Sequence, residues 1–140
     1  MALAGASIIY GAGMIESSGS GAIGKLPVTW MARVDVSDGK TSPEELIAAA
    51  HASCFAMAFS AILAEGETPP EQLDVRATVT FVPGTGITKS ELEVSGRVPG
   101  LSEEAFRARA EQAKTNCPVS QALKGLEITL AVKSFERAAA

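Results

Sequence analysis

Thr41-Ser42-Pro43-Glu44-Glu45-Leu46-Ile47-Ala48-Ala49-Ala50-His51-Ala52-Ser53-Cys54-Phe55 opens the stretch around which this chain has to fold. Ser42 reads as a helix cap, and Pro43 suits the first helical position, where its missing N–H is no loss. Glu45, three residues after Ser42, completes a capping box. Glu44 and Glu45 also place negative charge at the positive end of the helix dipole. Nothing breaks the pattern before Gly66, so the spacing predicts a helix running to about Ala64. From Leu46 to Ala64 no residue carries a formal charge. That length alone would allow a bilayer span. The segment is mostly alanine, however, contains His51, Ser53 and Ser60, and is bounded by acids rather than Lys or Arg. A helix apolar nearly all round is better read as central to a globular core, packing between subunits included.

The elements on either side read differently. Gln72 to Val82 alternates and is rich in Val and Thr, so a strand is expected. Pro83-Gly84-Thr85-Gly86 turns the chain, and Ile87 to Val98 returns as the second strand of a hairpin. No helix follows that turn, so it is a hairpin connection and not a phosphate loop. Pro99-Gly100 ends the strand. Ser102 caps an amphipathic helix over Glu103 to Lys114. Asn116 is expected to cap a short helix opened by Pro118 and closed by Gly125. Glu127 to Phe135 reads as a last strand, with a loose tail over 136–140. Upstream, Val28-Thr29-Trp30-Met31-Ala32-Arg33-Val34-Asp35-Val36 reads as one strand, and Asp38-Gly39 as the turn after it. Residues 1–26 form a glycine-rich arm of short apolar pieces such as Ile8-Ile9-Tyr10 and Met14-Ile15, read as short strands joined by turns. The order predicts an α+β fold with mostly antiparallel sheet, one domain over 1–140, and no internal repeat.

Composition narrows the function classes. The chain has 140 residues, 46% of them apolar, enough for a substantial core. Its net charge is −4, with acids and bases interspersed. No basic stripe is present for phosphate contacts, which argues against nucleic acid as a partner. The first ten residues have no Lys or Arg ahead of an apolar run, so they do not read as a signal peptide, and a cytoplasmic location is expected. Two cysteines in such a chain point to redox chemistry more than to structural stapling.

Those cysteines occupy unlike places. Cys54 falls mid-helix beside Ala50, His51, Met57, Ala58 and Ala61, where desolvation raises a thiol pKa. A reactive Cys54 needs a cation from elsewhere; otherwise it is a small buried hydrophobe. Cys117, in Asn116-Cys117-Pro118-Val119-Ser120-Gln121-Ala122-Leu123, stands at the first turn of a helix, where the dipole favours a thiolate. A small buried residue beside a cap explains that segment equally well. His51, one turn before Cys54, is placed to act as an acid or base, though a histidine there more often serves as a hydrogen-bonding core residue.

Thr41 to Phe55 resembles the first-cysteine helix of the osmotically inducible protein C (OsmC) and organic hydroperoxide resistance family. Asn116 to Leu123 resembles its second-cysteine motif. Ala49-Ala50-His51 before the first cysteine and Val119-Ser120 after the proline resemble the OsmC branch. The similarity extends through Val28 to Arg33, the hairpin and Pro99-Gly100-Leu101, and covers most of residues 27–134; the N-terminal arm departs most. The resemblance implies an intertwined homodimer in which mostly antiparallel sheets wrap long central helices. It implies an enzyme that reduces organic hydroperoxides with two cysteines and is recharged by a dithiol such as a lipoyl group, without metal or flavin. Cys54 matches the peroxide-attacking cysteine, Cys117 the resolving one, Arg33 the catalytic arginine and Glu44 its partner.

Helix geometry adds a constraint. Glu44 and Cys54 are ten residues apart on one helix, or roughly 15 Å along its axis. A Glu44–Arg33 pair acting on Cys54 must then come from the other subunit. Two rival readings remain at this level. One is a non-catalytic redox sensor or thiol-binding protein on the same fold. The other is a zinc protein using Cys54, Cys117 and His51, for which the chain lacks closely spaced ligand pairs.

Overall fold

The computed structural model describes residues 4–9 and 12–137 and divides the chain into two compact units, Met1–Leu46 and Ile47–Ala140, with the boundary inside the long helix. Tyr10 of the expected first strand and residues 138–140 of the expected loose tail lie outside the described residues.

In the first unit, β1 (Ala4–Ile9), β2 (Ala12–Ser18) and β3 (Leu26–Thr29) form an antiparallel sheet in that order. The glycine-rich arm is therefore built of strands. The strand expected over Val28–Val36 is not: β3 stops at Thr29, and Met31–Val34 forms a single helical turn, α1. The reason lies in the partner. Thr29 pairs with Ala12, the first residue of β2, so residues beyond it have no ladder to continue on that strand. Strand propensity without a neighbour is weak, and the chain turns instead. The expected Asp38-Gly39 turn is present, with φ of 46° and 72° and a Lys40 N–H to Ser37 carbonyl bond of 2.8 Å. It returns Thr41 beside β3, where its N–H donates to the Pro27 carbonyl at 2.8 Å. That contact sets the start of the next helix next to α1.

α2 runs from Pro43 to Glu65. Ser42 Oγ accepts the Glu45 N–H at 3.2 Å, as a cap should. The reciprocal half of the capping box is not made. Glu45 Oε2 instead accepts the Thr41 hydroxyl at 2.6 Å, a nearer donor in the extended residue ahead of the cap.

The second unit carries β4 (Gln72–Val82), β5 (Gly86–Arg97), α3 (Glu103–Asn116), α4 (Pro118–Ala122) and β6 (Glu127–Glu136). β4 and β5 form the expected hairpin, while β6 adds parallel to β5, after a crossover through α3 and α4. The fold is thus α+β with mostly antiparallel pairing. Asn116 does not cap α4. It is the last residue of α3, and Cys117 occupies the junction, ending one helix and starting the next. Pro118 cannot donate a backbone hydrogen bond, so α3 has no continuation through it.

Phe55, Phe59 and Leu63, four residues apart on α2, are fully buried against Leu92 and Val94 of β5 and Phe106, Ala110 and Ala113 of α3. The aromatic rings run Phe55–Phe59–Phe106–Phe135 with centroids 5.7, 4.9 and 4.8 Å apart. Each fully buried phenylalanine contributes roughly 1.5–3 kcal/mol by leaving water. Gly96 of β5 lies under this chain, because a Cβ there would stand 2.6 Å from the Phe106 ring. α2 is central by only one stripe. Its other face is open within the chain, with Met57 73% exposed, and the most apolar window of the helix is only 22% buried. It is the one helix among the described residues long and apolar enough to cross a membrane.

Candidate active site

Two helix positions distant in sequence bring the thiols together. Cys54 lies one turn beyond His51 on α2, and Cys117 sits at the α3–α4 junction, where its N–H donates to the Ala113 carbonyl at 2.9 Å. Cys117 Sγ donates to Cys54 Sγ at 2.9 Å. Both are free thiols; Cys117 is fully buried and Cys54 partly so. Burial pushes the Cys54 thiol above its ordinary pKa, and the contact with Cys117 adds to this. The Val119 N–H, donated to the Cys54 sulfur from the first turn of α4, pulls the other way. Left to these surroundings Cys54 is a poor thiolate, and a nearby cation is what its chemistry lacks.

His51 is fully buried and bonded at both nitrogens. Nδ1 meets Ser90 Oγ of β5 at 2.7 Å, and Nε2 meets Ser120 Oγ of α4 at 2.8 Å. Burial lowers its pKa, so the ring is neutral, with one nitrogen donating and the other accepting. With both nitrogens engaged, it offers no free lone pair to a metal, and no group of three or more candidate ligands clusters among the described residues. The sequence marked His51 as a hydrogen-bonding residue but did not mark Ser90, 39 residues away, and marked Ser120, 69 residues away, only as part of the second-cysteine motif and not as its partner.

Arg33 and Glu44 meet in the first unit. Arg33 Nε donates to Glu44 Oε2 at 3.0 Å, and Nη2 lies 2.9 Å from Oε1 as a close ion contact. Only the Nε–Oε2 contact has hydrogen-bond geometry; the buried Oε1 is held by charge alone. Glu44 is 5% exposed, so the pair is largely withdrawn from solvent. Trp30 supplies a third member, with the Arg33 Cζ 4.6 Å from its ring centroid. Sequence reading missed Trp30 for a definite reason. Positions three apart fall on opposite faces of the strand expected there, but on one face of the helical turn that forms.

Along the C-terminal half of α2, Ala56, Met57, Ser60, Ala61 and Ala64 and the segment Pro70–Leu73 line an open groove of about 660 Å³, mostly apolar. Pro83–Thr85 simply joins β4 to β5.

The family model described as OsmC-like protein matches residues 36–132. The curated protein Peroxiredoxin OsmC of Escherichia coli (strain K12) is 42% identical over 117 residues, covering 81% of this chain and 80% of that protein. Organic hydroperoxide resistance protein-like 1 of Staphylococcus epidermidis is 34% identical over 104 residues, covering 71% of this chain and 74% of its own. Among solved structures, that of the organic hydroperoxide resistance protein OhrB of Bacillus subtilis superposes with a TM-score of 0.73 at 23% identity, covering 95% of this chain and 98% of the other; at that identity it speaks for the fold.

Proposed function

The chain belongs to the OsmC-like protein family, and from that premise we propose that it is a cysteine-based peroxidase that reduces organic hydroperoxides to alcohols and is recharged by a dithiol. The observation that carries this reading is the 2.9 Å approach of Cys117 Sγ to Cys54 Sγ. It is an arrangement from which a disulfide closes with little movement.

The Cys54 thiolate attacks a peroxide oxygen. The O–O bond breaks, the alkoxide leaves and takes up a proton as the alcohol, and Cys54 is left as a sulfenic acid. Cys117 sulfur then attacks Cys54 sulfur, the S–O bond breaks, and the hydroxyl departs with the Cys117 proton as water. An external dithiol, a lipoyl group being a suitable one, opens the bridge by thiol–disulfide exchange and is itself oxidised.

Arg33 stabilises the Cys54 thiolate and binds the peroxide oxygens with its fixed fork of donors. Glu44 and Trp30 hold that fork in orientation. Glu44 and Cys54 are separated by ten residues of one helix, so the Arg33–Glu44 pair serves Cys54 of the other subunit in an intertwined homodimer. The open apolar face of α2 supports the same assembly, since a second copy would remove it from water. In that assembly the two compact units work as a single OsmC-like domain. The helix around Cys54 offers Ala, Met and Phe side chains and few polar groups, which favours substrates with alkyl tails. A cytoplasmic location fits a peroxidase whose disulfide is reopened by a cellular dithiol.

The deciding experiment is multiple turnover of cumene hydroperoxide with dihydrolipoamide. Many equivalents of alcohol per subunit are expected from the native chain and none from Cys54→Ser. Consumption that stops at one equivalent would instead make the chain a sensor.

A further inference from the structure

The cysteine contact is one of two rungs between α2 and α4. Cys54 meets Cys117, and His51 meets Ser120. His51 precedes Cys54 by three residues, and Ser120 follows Cys117 by three, so the rungs belong to one antiparallel pairing of the helices. α4 has five residues, too few to hold a position by its own hydrogen bonds. Its N-terminal end is tied to α3 through the Cys117 N–H, and its body is tied to α2 through Ser120. Ser90 fixes His51 from β5, a strand inside the second unit's sheet. All three polar residues are buried, with His51 and Ser90 at 0% exposure, so no solvent group substitutes for a lost partner. A satisfied polar network in an apolar core selects one arrangement of the elements that it joins.

We infer that the Ser90–His51–Ser120 network is a strut that holds α4 in register on α2, making these three positioning residues for the closure of Cys117 onto Cys54. The inference rests on the attack-then-resolve reading given above. The closing step condenses Cys54 sulfenic acid with the Cys117 thiol to a disulfide and water. It needs the Cys117 sulfur held on the Cys54 sulfur after an oxygen has been added there. Attack on the peroxide, by contrast, involves α4 only through the Val119 N–H.

The two steps separate experimentally. Sulfenic acid formation is followed by trapping in a Cys117→Ser background, and disulfide formation by thiol loss and mass with both cysteines present. Ser120→Ala should slow disulfide formation about fivefold, the worth of one hydrogen bond, and slow sulfenic acid formation less, since α4 enters that step only through the Val119 N–H. With excess peroxide the longer-lived sulfenic acid should accumulate as Cys54 sulfinic acid. Ser120→Thr, which keeps the hydroxyl, should restore closure. Unchanged closure in Ser120→Ala, without sulfinic acid, overturns the strut and leaves the peroxidase reading standing. If the native chain forms no disulfide with peroxide, the reading beneath it fails instead, and the strut with it. Should Ser120→Ala not fold, Ser90→Ala removes only the anchor from β5 and carries the same test. Slower closure is expected there, and closure at the native rate overturns the inference.

Discussion

Cys54 is surrounded by groups that work against its ionisation. Burial and the neighbouring Cys117 raise its pKa, and one backbone N–H from Val119 opposes them. Under the shared-site reading, Arg33 supplies the missing positive charge. Arg33→Ala should then shift the pH profile of the peroxide step to higher pH. The rate should fall about tenfold at neutral pH, the effect of a pKa raised on the order of one unit, and recover in part under alkaline conditions. An equal loss at every pH would leave Arg33 a role in binding only. His51 makes the opposite kind of prediction. Its folded-state pKa lies below the ordinary 6.5, so the unfolded chain binds its proton first as pH falls. Stability from the neutral ring is complete above about pH 6.5 and declines below it. The thermal midpoint of the native chain should drop on acidification through that range, and His51→Gln should flatten this part of the curve whatever it does to overall stability.

At the scale of elements, the start of α2 and the crossing of α3 over β5 bear most on the site. Ser42 satisfies an otherwise orphaned N–H of α2, so Ser42→Ala should cost about 1 kcal/mol in urea unfolding. Glu45→Gln should cost much less, because Glu45 serves Thr41 at the surface rather than the helix end. Gly96→Ala tests the second point. Its methyl group would press on the fully buried Phe106, and a loss of about 1–3 kcal/mol is expected. A neutral Gly96→Ala would mean that α3, and with it the Cys117 junction, is less tightly seated than its burial implies.

For the whole molecule, the open face of α2 and the separation of Glu44 from Cys54 lead to the same expectation of shared sites. Cys54→Ser homodimers should be inactive, and Arg33→Ala homodimers should keep about a tenth of native activity at neutral pH. In a mixed dimer one site collects both defects and the other neither. With random exchange half the dimers are mixed, so roughly a quarter of native activity should return. Exchange is verified by tagged pull-down after joint refolding. Verified mixed dimers with no gain over the residual activity of Arg33→Ala would place both groups in one chain.

Much of this was legible in the residues. The Ser42-Pro43-Glu44-Glu45 start, the Gln72–Val82 and Ile87–Val98 hairpin and the Ser102 cap are local signals, and local signals survive into the fold because their partners are near in sequence. The two cysteine motifs were equally plain, as was the distance along one helix that separates Glu44 from Cys54. Four features waited for the tertiary structure: the helical turn that stacks Trp30 on Arg33, the parallel addition of β6 to β5, the sulfur contact across 63 residues, and the serines on either side of His51. β3 ended where its partner ended, and the other three join elements distant in sequence. Propensity and periodicity describe a segment against its immediate neighbours; which distant groups share a buried space is settled only when the core packs.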